Sequence, residues 1–276
     1  SGIGQGAVLQ RHGIPVVHEL KGVGENLQDH YMIGMQWRFK PEYRSINERT
    51  HGLRLALEIL KYGLTRKGVL SLPVAHVAAF VRSRPELEEP DIQLHAMPAS
   101  IDLGRLVQEQ AFRMEKQPGM TITPCQLRPE SRGSIHIKSP DPTAYPTIRA
   151  NYLADPADQE AAMRGLKLSR KVASQPAIAQ YVESETAPGA GVQTDEQIAE
   201  YTKLAGTTLY HCVGTCRMGH GPEAVVDPQL RVHGVERLRV VDASIMPKIC
   251  SGNTNAPVIM IAEKASDMIL GRSATN

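Results

Sequence analysis

Apolar residues recur at helical spacing in several stretches of the chain. From Glu48 to Tyr62 the positions of Leu53, Leu55, Ala56, Ile59 and Leu60 predict an amphipathic helix. Asp155-Pro156 opens another, because proline is tolerated in a helix's first turn. It carries Ala161, Met163, Leu166, Leu168 and Val172 and ends before Pro176. Residues 194–203 form a third, with Thr194 as cap and Gln197 three positions on. Ala256 to Leu270 is a fourth, with Ile259, Ile261, Ala262, Ala265 and Ile269 on its apolar side. A short helix fits between Gly4 and Gly13. Strand-like runs cover 14–17, 31–38, 74–83, 91–97 and 238–242, the last reading as a buried strand. Met120–Leu127 and Gly133–Lys138 alternate like partners across the turn at 128–133, and residues 100–118 read as an irregular excursion. Strands and helices are mixed, so the class is α/β or α+β.

Composition narrows the function classes. With 41% hydrophobic and 22% charged residues the chain buries a core rather than staying disordered. Its net charge of +2 gives no whole-chain attraction to nucleic acid. No apolar run approaches the roughly 20 residues that span a bilayer. Cys125, Cys212, Cys216 and Cys250 are too sparse for a disulfide scaffold. They suggest a reducing compartment, the cytoplasm, with peripheral association at the inner membrane left open. The chain starts at Ser1 inside a Gly-rich turn, which reads as a cut through a longer protein; a processed mature start is the other reading.

Candidate chemistry gathers in the last third. His211 lies in a loop with Gly214 and Gly219, where it serves either as a general base or as an ordinary hydrogen-bonding residue. His211, Cys212, Cys216 and His220 offer metal ligands at close spacing, but no second ligand pair stands out, so no metal is expected. Asp242 ends the 238–242 strand and either meets a ligand there or caps the next turn. Asn253 and Asn255 flank Thr254 just before the last helix. They either cap it or present its free N–H groups to an electron-rich ligand.

These residues together resemble the glucose–methanol–choline family of FAD-dependent oxidoreductases, in its choline and alcohol dehydrogenase-like branch. The likeness is carried by His211–Gly219, Val226–Gly234, Leu238–Pro247 and Ser251–Leu270. It is carried also by Gly22–His30, Arg128–Ile135 with Asn151-Tyr152-Leu153, and Ser1–Gly4; residues 36–120 match loosely. The resemblance implies a partial Rossmann-like FAD-binding domain plus a substrate domain with an antiparallel sheet and flanking helices. It places a remnant of the FAD domain at 1–35, the substrate domain at 36–205 and the rest of the FAD domain at 206–276. The family's GxGxxG unit is not found; Gly2, Gly4 and Gly6 do not follow a strand. By resemblance His211 is the catalytic base and Asn253 its partner on the substrate oxygen. Asp242 and Ala243 lie beside the ribityl–phosphate part of FAD, and Thr254 and Asn255 near the ring's pyrimidine edge. The expected substrate is a small-molecule alcohol, and the expected electron acceptor is something other than oxygen. The other expectation is a truncated chain that binds no FAD alone. Cys212 stands where proline is usual, and Cys250 where a small apolar residue is common; each adds an oxidisable thiol.

Overall fold

Helices form where periodicity and capping coincide. The computed structural model describes residues 1–73, 75–109 and 113–272. In chain order its elements are β1 (Ile3–Gly4), α1 (Gly6–Arg11), β2 (His18–Glu19), β3 (Tyr31–Ile33), β4 (Met35–Phe39), α2 (Gly52–Thr65), β5 (Val77–Val81) and β6 (Ile92–Met97). There follow α3 (Leu103–Glu109), β7 (Gly119–Gln126), β8 (Ser134–His136), β9 (Thr147–Arg149), α4 (Pro156–Ala173) and α5 (Pro176–Ala179). The last are β10 (Val182–Ala187), α6 (Asp195–Ala205), β11 (Gly206–Thr208) and α7 (Asn255–Leu270). The capping box at α6 is complete: Thr194 Oγ1 accepts from Gln197 N, and the Gln197 side chain accepts from Thr194 N.

Two units divide these elements. One comprises residues 1–30, 127–155 and 209–276, the other 31–126 and 156–208. Residues 127–155, which the sequence assigns to the substrate domain, group by their contacts with the chain's beginning. Leu27 and Gly133 exchange backbone hydrogen bonds at 2.9 and 2.8 Å, and Ile135 N donates to Gly24 O at 2.7 Å. The first unit also holds a parallel pair, β1 with β2, and an antiparallel pair, β8 with β9. Its core gathers Val213, Val225, Val226, Val232, Ile245, Ile249, Ile261 and Ala265.

The second unit is an antiparallel sheet. β7 is its centre, with β6 on one edge and β4 and β3 in succession on the other. β5, β10 and β11 extend it. Helix α4 lies against β7. Gly165 permits that close approach, since a Cβ there would sit 2.9 Å from Pro124 Cβ. Met35, Trp37, Ile92, Ile122, Leu166 and Ile198 fill the layer between sheet and helices.

Several expectations need correction. β8 pairs with β9 and not with β7, because the 127–133 segment is drawn to Leu27 instead of forming a tight hairpin turn. Residues 14–17 are not a strand; pairing begins at His18, and Val17 is 72% exposed. Residues 238–242 form no strand either. They are held through the Arg231–Arg239 bridge and the bond from Val240 N to Leu230 O, and isolated pairs do not make a ladder. Part of the expected excursion is helix α3, while residues 110–112 of it, and Val74 of the expected 74–83 strand, lie outside the described set. Helix α2 forms as its periodicity predicts, yet it buries none of its residues. Spacing sets which side chains share a face, not whether anything covers it.

Candidate active site

His211 is positioned by its backbone before its side chain does anything. The loop that carries it docks onto residues 24–30. Gln28 and Val213 exchange backbone bonds at 3.0 and 2.9 Å, and Gly24 N donates to Thr215 O at 2.9 Å. Gly214 allows this approach. Its φ is +97°, and a Cβ would stand 2.4 Å from Asn26 O, so any side chain would push the loops apart. Asp29 Oδ1 then accepts the His211 N–H at 2.8 Å. Tyr152 donates its hydroxyl to Asp29 Oδ2 from the 127–155 segment.

His211 is 9% exposed, and its ring contacts two side chains from distant parts of the chain. Its Nδ1 lies 2.9 Å from Nδ1 of His30, the two rings meeting edge to face at 82°. Its Nε2 lies 3.3 Å from Asn253 Nδ2. His30 has no solvent exposure, and its Nε2 meets Leu127 O at 3.1 Å. Gln28 ties the Asn253 side of the site to the same platform: its Nε2 donates to Pro247 O at 3.0 Å and its Oε1 accepts from Ile249 N at 3.1 Å.

Burial lowers the His211 pKa below the usual histidine value, with the Asp29 charge opposing the shift. The ring is therefore neutral at pH 7 and able to accept a proton. Cys212 keeps solvent access as a residue. Its thiol is nevertheless pushed up to about 11, first by desolvation and then by Asp29. A protonated thiol is a poor nucleophile, which tempers the expectation of an oxidisable group there. Cys250 donates its thiol to Gly252 O at 3.3 Å, inside the turn that presents Asn253.

The remaining sequence-predicted residues sit around helix α7. Asp242 caps the turn at 243–245: its Oδ1 accepts from Ser244 N at 2.8 Å and Ser244 Oγ at 2.5 Å. Ala243 stands in that turn, which packs against α7. The α7 cap is Thr254 rather than either asparagine, and it makes no side-chain capping bond. Among the described residues the N–H groups of Asn255 and Ala256 make no hydrogen bond, and Pro257 has none to offer. The structure thus joins His211 to Asn253 and leaves Asp242, Ala243, Thr254 and Asn255 without a hydrogen bond to that pair. No group of three or more His, Cys, Asp or Glu residues suited to a metal occurs among the described residues.

Asp29, His30 and Tyr152 carry no assignment from sequence. The sequence shows only that Gln28, Asp29 and His30 are consecutive polar residues next to Leu27; the structure buries all three, at 2%, 5% and 0% exposure. Consecutive buried polar groups require partners.

Residues 129–262 match the family model described as GMC oxidoreductase. The chain is 41% identical over 279 residues to an alcohol dehydrogenase [acceptor] from Pseudomonas putida, covering 98% of this chain and 48% of that protein. It is likewise 41% identical over 278 residues to an oxygen-dependent choline dehydrogenase from Chromohalobacter salexigens, covering 99% and 48%. Formate oxidase from Aspergillus oryzae RIB40 superposes with a TM-score of 0.89 at 26% identity, over 98% of this chain and 51% of that one. The chain spans about half the length of the curated relatives it matches. The segment matched to the GMC oxidoreductase model contains His211 and Asn253, so the likeness to that family covers the residues of the site.

Proposed function

We propose that this chain supplies the proton-accepting side of an enzyme that oxidises the CH–OH group of a small-molecule alcohol to a carbonyl with FAD as cofactor. The observation that carries the reading is the contact between His211 Nε2 and Asn253 Nδ2 at 3.3 Å. A neutral imidazole nitrogen and an amide donor at that spacing suit one substrate oxygen. His211 accepts the hydroxyl proton, and Asn253 donates to the oxygen as negative charge grows on it. Asp29 holds the His211 backbone, and its charge favours the imidazolium that forms.

The residues present fit part of a flavin. The unpaired N–H groups of Asn255 and Ala256 open a helix of 16 residues, whose positive end suits an electron-rich ring edge. Asp242 Oδ2 takes no hydrogen bond among the described residues and can accept from a hydroxyl. When bound, FAD supplies the hydride acceptor at N5. Asp242, Ala243, Thr254 and Asn255 are assigned to hold it, with the first unit as the FAD side and the second as the substrate side. The parallel β1–β2 pair in the first unit and the antiparallel sheet in the second support that division. The acceptor that re-oxidises the cofactor is assigned as a carrier other than oxygen, on the likeness to an alcohol dehydrogenase [acceptor].

The test is stopped-flow reduction of bound flavin by a primary alcohol in the FAD-loaded enzyme. His211→Ala should slow the reduction by on the order of 10²-fold or more; an unchanged rate rejects the reading. One observation favours a second reading for the chain by itself. Ile259, Met260, Ile269 and Leu270 on α7 are 54–60% exposed, and no GxGxxG unit is present. The chain alone is accordingly assigned little affinity for FAD, and an absorbance spectrum of the purified chain incubated with FAD decides it.

A further inference from the structure

We propose that His30 is a positioning residue: it fixes His211 as the Nδ1–H tautomer, so that the Nε2 lone pair is the one presented beside Asn253. The inference rests on His211 being the base, and adds which of its nitrogens acts and what selects it.

The two Nδ1 atoms lie 2.9 Å apart, so one proton lies between them and one nitrogen must accept. Leu127 O at 3.1 Å can only accept, so His30 Nε2 carries a proton. If His30 also held the shared proton on Nδ1, it would be an imidazolium with no solvent exposure. Burying that charge is far more costly than burying the neutral ring. The shared proton therefore belongs to His211 Nδ1, and His30 Nδ1 accepts it. His211 is then left with an unprotonated Nε2, which faces the Asn253 amide donor at 3.3 Å. Every donor in the chain from Asn253 to His211, His30 and Leu127 then meets an acceptor.

The arrangement has a catalytic consequence. A neutral imidazole free in water favours the Nε2–H form, which would point a proton at the substrate hydroxyl. His30 reverses that preference. It also keeps its acceptor on Nδ1–H after Nε2 takes the substrate proton, so the His30 side of the ring does not have to reorganise during the reaction.

The test needs no bound cofactor. In ¹⁵N-histidine-labelled chain, two-bond ¹H–¹⁵N correlation at neutral pH reads the tautomer of each ring, with the His211 signals identified by their loss in His211→Ala. The expected result is a protonated Nδ1 and an unprotonated Nε2 on His211. His30→Ala should shift His211 toward the Nε2–H pattern, and His30→Asn, whose side-chain oxygen can accept from Nδ1–H, should restore it. With FAD bound, His30→Ala should slow flavin reduction on the order of 10²-fold, with His30→Asn in between. An Nε2–H pattern in the unaltered chain overturns the proposal, as does a His211 tautomer that stays Nδ1–H in both His30→Ala and His30→Phe. If the tautomer is as expected but His211→Ala leaves flavin reduction unchanged, the functional reading fails and the structural assignment stands.

Discussion

Asp29 receives the backbone N–H of His211 at 2.8 Å, so one carboxylate fixes the position of the loop and contributes charge to the ring it carries. That charge raises the His211 pKa against the larger effect of burial, and it raises the Cys212 thiol as well. Asp29→Asn should therefore lower both. Histidine titration by NMR reads the first. The second appears as faster alkylation of Cys212 at fixed pH, because more thiolate is present. A slower alkylation would contradict the assignment. Asp29→Ala should in addition cost roughly 1–3 kcal/mol in denaturant unfolding, since it strands the His211 N–H and the Tyr152 hydroxyl.

The lowered His211 pKa sets a direction for stability. Unfolded, the ring titrates near its ordinary value of about 6.5; folded, it titrates lower. Below the ordinary value the unfolded chain binds more protons. This residue's contribution is thus complete above the ordinary value and is lost as pH falls through the folded one. Chemical denaturation from pH 7.5 down to 5 should show a fall in stability that is smaller in His211→Gln. In the FAD-loaded enzyme, flavin reduction should rise with pH across the same lowered pKa.

Asn253 is expected to act on the transition state. Asn253→Ala should reduce the flavin-reduction rate by about 10²–10³-fold, the usual effect of losing one donor to a developing oxyanion. Asn253→His keeps a donor at the position and should lose less. Equal losses for the two would show that packing, not donation, is what the residue provides.

The two kinds of leucine in the second unit should behave oppositely. Leu166 on α4 is fully buried, and Leu166→Ala should cost about 2–5 kcal/mol. Leu53 and Leu64 on α2 are 77% and 76% exposed, and replacing either by Gln should change stability by less than about 0.5 kcal/mol. Urea denaturation of the variants compares them directly.

Much of this was legible in the residues themselves, and the failures have physical causes. Thr194 with Gln197, and Pro156 at a helix start, are local signals whose partners lie within one turn, and α6 and α4 follow them. The 238–242 run misled because an apolar segment reads as a buried strand whether or not neighbours exist to form a ladder. The partner of β8 was missed because it depends on where Leu27 lies, more than a hundred residues away. In the site, the loop histidine and the asparagine before the last helix were visible as chemistry. Their contact, and the roles of Asp29 and His30, depend on the docking of Gln28 against Val213, Pro247 and Ile249, which no local pattern encodes.

The histidine pair joins residues 181 positions apart, and Asn253 enters 42 positions later still. Closure over that span is slow compared with helix formation, and during synthesis it must wait until the C-terminal segment has emerged. Helices such as α4 can be complete while the pair is still open. The imidazole contact is therefore a late milestone of folding, and the shared proton between the two rings is a gauge of whether a given molecule has reached the end of the route.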